Sequence, residues 1–86
     1  MDKISADSPE YVYEQLAAIL ERKIRSGEYA PGGRLPGELV MTHDYGVGPG
    51  TVRRALSILR DAGLVVTRPA RGTFVADPLP PANPSA

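Results

Sequence analysis

A mainly α fold with a small β-wing, three helices followed by a β-hairpin, is what this sequence predicts. Three observations carry the prediction. Apolar residues recur at helical spacing between residues 13 and 24. Glycines at 46, 48 and 63 punctuate two further helix-like stretches. Two β-branched and aromatic runs, residues 64–68 and 73–75, flank the turn Pro69-Ala70-Arg71-Gly72. That order is the layout of a winged helix-turn-helix.

The first helix is expected to open at Ser8-Pro9-Glu10. Ser8 can accept a backbone N–H as N-cap, Pro9 suits the first helical position, and Glu10 complements the positive dipole end. Tyr13, Leu16, Ala17, Leu20 and Ile24 then form one apolar stripe, read as core, with Glu14, Glu21, Arg22 and Arg25 off it. Ser26-Gly27 closes the helix, Gly27 being suited to a left-handed residue just past the end. Residues 28–36 form a turn-rich connector in which Leu35 is expected as a buried anchor, at most in a very short strand.

A second helix is predicted over about Glu38–Tyr45, with Met41 and Tyr45 pointing inward and Gly46 ending it. Val47 is the apolar residue of the turn. Gly48 and Pro49 start the third helix as N-cap and first residue. It runs to about residue 62, presents Val52, Ala55, Leu56 and Leu59 to the core, and stops at Gly63. From Asp77 onward four prolines and little to bury predict a disordered tail. The expected organisation is a flexible N-terminus over 1–8, one domain over 9–76 and a tail over 77–86.

Eighty-six residues support a single domain with a compact core. The chain has no cysteine, which excludes disulfides and thiolate metal sites. No apolar run approaches the roughly 18 residues of a membrane span, and residues 1–7 lack a secretory pattern, so a cytoplasmic protein without membrane contact is expected. His43-Asp44-Tyr45 is the only cluster resembling acid–base chemistry, and it lacks the partners of a zinc site or a catalytic triad. No enzyme activity and no cofactor are expected.

Net charge is zero, but it is unevenly spread. Residues 1–33 carry four cations against six carboxylates; residues 34–75 carry six cations against three, and all six are arginine. Arginine's planar fork suits phosphate and guanine edges. With two protrusions, a helix start and a hairpin tip, the second segment is arranged to engage neighbouring grooves of double-stranded DNA. Thr51, Arg53 and Arg54 belong to the third helix, and Gly50 either permits close backbone approach to phosphate or is only a turn residue. Arg68, Arg71 and Gly72 form the hairpin tip, where arginine suits a narrowed minor groove. Arg34 either contacts phosphate or pairs with Glu38, the pair being slightly preferred. Leu39 and Val40 lie outside, as isolated surface apolar residues or as a contact between two copies on adjacent half-sites.

The chain resembles the N-terminal winged-helix domain of the GntR family of bacterial transcription regulators. The resemblance rests on Tyr13, Gln15, Leu16, Leu20 and Ile24, on Ser26-Gly27-Glu28-Tyr29 and Pro31-Gly32, and on Arg34-Leu35-Pro36 with Glu38. It continues through Tyr45-Gly46-Val47, residues 50–56, Leu59, Gly63-Leu64-Val65 and residues 71–75, covering about residues 9–76. The resemblance implies a sequence-specific DNA-binding transcription regulator, usually a repressor. It places Thr51 and Arg53 at the major groove and Arg71 with Gly72 in the wing. Gly48-Pro49 stands where the family usually has serine or threonine then arginine. Gly37 and Leu39 stand where serine and arginine are usual, and Ala70 where glycine is common. Two arginines that usually face DNA are thus missing. Family members also usually continue into a ligand-sensing domain, for which a separate sensor protein could substitute, unless the chain is part of a longer protein. The alternative reading is a winged-helix protein-interaction module with a decayed DNA face.

Overall fold

The computed structural model describes residues 4–5 and 10–81. Three helices, α1 (Val12–Arg25), α2 (Glu38–Tyr45) and α3 (Pro49–Asp61), precede two strands, β1 (Val65–Arg68) and β2 (Gly72–Val75). The strands pair antiparallel with Val65 opposite Val75 and Arg68 opposite Gly72. Arg34 forms an isolated bridge to Phe74, and Leu35 N–H donates to Thr73 O at 2.8 Å. The expected short strand at Leu35 is therefore a single bridge that ties the connector to the wing.

The apolar stripe of α1 is core from Leu16 to Ile24, as its spacing predicts, whereas Tyr13 at its start is only partly covered. Leu16, Leu20 and Ile24 are fully buried with Met41 of α2, Val52, Ala55 and Leu59 of α3, and Leu64, Val65 and Val75 around the hairpin. Leu35 closes this cluster, while Tyr45, Val47 and Leu56 pack on its edge. Sequence periodicity misses Ile19 and Gln15, which are also buried. Gln15 lies on a second face of α1, where its amide donates to Ser5 O and Glu10 O and accepts from Ser5 N–H. Ile4 packs on the core beside it. Residues 4 and 5 of the segment expected to be flexible are therefore attached to α1, because a buried amide needs polar partners.

The start of α1 departs from expectation. The helix begins at Val12 after Tyr11, whose N–H donates to the Glu14 carboxylate at 3.3 Å. Glu14, the third helical residue, thus reaches back to satisfy the N–H of the residue before the helix; the expected cap Ser8 and Pro9 lie outside the described residues. The other boundaries follow their punctuation. Gly27, Gly46 and Gly63 take left-handed φ values of 87°, 65° and 78° just past the three helices, and Gly48-Pro49 opens α3.

The segment after the hairpin also packs. Leu79 lies against the core cluster, and the Arg25 guanidinium donates to the carbonyls of Pro80 and Pro81. Packing thus continues to residue 81, past the expected end of the domain at 76; residues 82–86 lie outside the described residues. Lys23 sits between the rings of Tyr29 and Tyr45, 5.9 and 5.7 Å from their centroids, and joins α1 to the connector and α2. Its hydrogen bond to Tyr45 holds the ammonium above its ordinary range, against the opposing effect of burial. These contacts fix α1 behind α2 and α3 and leave the outer side of α3 and the wing exposed.

Candidate nucleic-acid interface

The candidate residues occupy both flanks of α3 and the tip of the wing. A helix advances about 100° per residue. With Val52, Ala55 and Leu59 facing the core, Gly50 and Ser57 form the crest of α3 turned away from it, Gly50 exposed and Ser57 half-buried. Arg53 and Arg54 straddle that crest. Arg53 leans toward α2, where its Nε donates to Glu38 Oε2 at 2.8 Å. That hydrogen bond and the carboxylate charge raise the guanidinium above its ordinary pKa. Arg54 leans toward α1, with its guanidinium carbon 4.4 Å from the centroid of the Tyr13 ring.

Glu38 therefore pairs with Arg53, and the preferred pairing with Arg34 does not form. Arg34 is displaced because its bridge to Phe74 carries it to the wing, where its side chain lies across Gly72. A Cβ at position 72 would come within 2.7 Å of Arg34 Nε. Arg34, Glu38, Arg53, Leu56, Thr67 and Gly72 line one groove of about 380 Å³ between α2, α3 and the hairpin.

The hairpin tip sits beside this groove. Arg68 faces Gly72 across the ladder, and Arg71 N–H donates to Arg68 O at 3.0 Å to close the turn. Ala70 adopts a φ of 63°, a left-handed conformation that costs a residue with a Cβ about 1–2 kcal/mol. The resemblance to the GntR family implies glycine here, and with alanine the wing keeps its turn at the expense of local strain. Arg60 Nε donates to Thr67 Oγ1 at 3.2 Å, which ties β1 to the last turn of α3.

The structure thus brings Arg34, Arg53 and Gly72 to one groove, with Arg68 and Arg71 at its outer end. Thr51, half-buried in the first turn of α3, and Arg54 three residues later lie on the flank turned to α1. Gly50 lies exposed between the flanks, and an added Cβ there would meet nothing within 4 Å. Two partners escape a reading by periodicity: Glu38 for Arg53 and Tyr13 for Arg54. Tyr13 reads as core by spacing, yet its ring is only partly covered and carries the arginine. His43 and Asp44 approach to 3.5 Å on an open surface, with the imidazole 92% exposed.

Residues 12–75 match the model of the family described as bacterial regulatory proteins, gntR family. The chain is 38% identical over 71 residues to the histidine utilization repressor of Klebsiella aerogenes, covering 83% of this chain and 30% of that protein. It is 39% identical over 75 residues to the HTH-type transcriptional repressor NagR of Bacillus subtilis, covering 87% and 31%. The chain therefore spans about a third of the length of these relatives.

Among solved structures, YtrA from Sulfolobus acidocaldarius, a GntR-family transcription factor, superposes with a TM-score of 0.80 at 32% identity. That match covers 87% of this chain and 79% of YtrA. AraR(DBD) in complex with operator ORE1 superposes with a TM-score of 0.77 at 26% identity, covering 88% of this chain and 93% of that one. The helix order and the wing agree with these likenesses, and the family match spans most of the chain: the chain belongs to the gntR family of bacterial regulatory proteins.

Proposed function

We propose that this chain is the DNA-reading part of a bacterial transcription regulator, and that it works by occupying double-stranded DNA without catalysing a reaction. The start of α3 enters the major groove, and the tip of the wing reaches the adjacent minor groove. Arg53, Arg54 and Arg34 meet phosphate or base edges, Thr51 and Gly50 approach at the helix tip, and Arg68, Arg71 and Gly72 form the minor-groove contact. The observation that carries this reading is the groove in which Arg34, Arg53 and Gly72 come together with the arginine-bearing tip at its end. The likeness to AraR(DBD) bound to operator ORE1 and to two repressors supports it. Repression in the cytoplasm is the corresponding role.

A salt titration against DNA upstream of the chain's own operon tests the reading. Arg53→Ala should weaken binding broadly and lower the slope of log K against log salt by about 0.9, one phosphate contact. Arg71→Ala should weaken it most at A·T-rich flanks. Unchanged curves for both variants would contradict the proposed surface.

A second reading, contact with protein in place of DNA or between two copies on it, is favoured by one feature. Leu39 and Val40 on α2 are 83% and 51% exposed. Leu39→Glu should abolish dimer formation on DNA if this patch joins two copies, as read by analytical ultracentrifugation with a duplex present. Unchanged dimer binding removes that role.

A further inference from the structure

We propose that Tyr11, Tyr13 and Arg54 form a second sugar–phosphate contact, on the wall of the major groove opposite the one met by Arg53. This rests on the DNA-binding reading above and adds to it the α1 side of the interface. The Tyr11 and Tyr13 rings lie parallel, 8° apart in plane and 5.6 Å between centroids, and Arg54 lies over the Tyr13 ring. Tyr11 is 67% exposed, so the stack is open to solvent although it involves two large aromatic rings. Nothing in the core requires it: the buried part of α1 begins at Gln15.

The two arginines of α3 are held in different ways, and the difference bears on DNA. Arg53 is held by a carboxylate, so its charge is already partly met by Glu38. Arg54 is held by a neutral ring and has no carboxylate partner among the described residues, so its positive charge remains available to phosphate. Both side chains are positioned before DNA arrives, which reduces the ordering cost of contact. Standing about 100° apart around the Gly50–Ser57 crest, they would reach the two strands that border one major groove. The Tyr11 and Tyr13 hydroxyls add donors of the kind that contact phosphate oxygens. Beside the stack, Glu10, Glu14 and Glu21 edge a shallow depression between α1 and Ile58, and their charge limits the contact surface on that side.

The test uses a duplex recovered from random oligonucleotides by the unmodified chain, with binding followed by fluorescence anisotropy over a range of potassium chloride. Arg54→Gln should lower the salt slope by about 0.9, and combining it with Arg53→Gln should lower it by about twice that. Arg54→Lys should restore most of the slope. Tyr11→Ala removes no charge and should weaken binding roughly two- to fivefold with a smaller change in slope. Both positions are exposed, so circular dichroism should report an unchanged fold. If Arg53→Gln weakens binding while Arg54→Gln and Tyr11→Ala bind as the parent chain does, the α1 contact is overturned and the DNA-binding reading stands. If the parent chain shows no salt-dependent binding, both fall.

Discussion

Leu20→Ala should lower the free energy of unfolding by about 2–5 kcal/mol, whereas Leu39→Ala should change it by less than about 0.5 kcal/mol. The two substitutions remove the same atoms. Leu20 is fully buried in the middle of α1, among apolar side chains contributed by all three helices and the hairpin, so its loss leaves a cavity. Leu39 is 83% exposed, and its loss leaves none. A domain of this length has roughly 4–13 kcal/mol of stability to lose. The Leu20 variant should therefore melt at least roughly 10 °C lower. Thermal and urea unfolding of both variants decide the matter; equal costs would mean that the core is placed wrongly.

Gly72→Ala should damage the wing in two ways that separate by measurement. The backbone at Gly72 has a φ of 122°, a region that residues with a Cβ rarely enter, and strain of this kind costs of order 1–3 kcal/mol. The new methyl group would also stand 2.7 Å from Arg34 Nε, so the guanidinium must leave its place over the strand. The first effect appears as a lower unfolding midpoint. The second appears as weaker DNA binding, at a temperature where the variant is fully folded. Arg34→Ala, which removes the clash, should recover part of the stability of Gly72→Ala but none of the binding. Full stability and unaltered binding in Gly72→Ala would dismiss the Arg34–Gly72 contact as a feature of the interface. Ala70 marks the contrast: at a φ of 63° a small side chain is accommodated next door, in the one left-handed well open to it.

The elements of this fold are legible where their causes are local. The α1 stripe, the left-handed glycines after each helix and the Gly48-Pro49 start of α3 act through residues a few positions apart. So do the two β-runs around the wing turn. Each is therefore visible to a reading of periodicity and turn chemistry. The first helix start is the exception. Ser8 precedes a proline in a favourable place, but Glu14 reaches back to the Tyr11 N–H, and the helix begins there. Burial of Gln15 was equally invisible, since its partners include Ser5, ten residues away.

What the sequence alone determined is the inventory: three helices and a wing, the buried stripe, and an excess of arginine in the second half of the chain. Tertiary structure alone decided which partner each arginine has. Glu38 meets Arg53 across 15 residues, not Arg34 across four. Arg34 crosses to the wing by a bridge to Phe74, Arg54 settles on Tyr13, and Arg25 binds the carbonyls beyond the wing. The physical reason is reach. Backbone geometry at a residue is set by its immediate neighbours, whereas a long charged side chain takes its partner from whatever the packed helices and strands bring within a few ångströms.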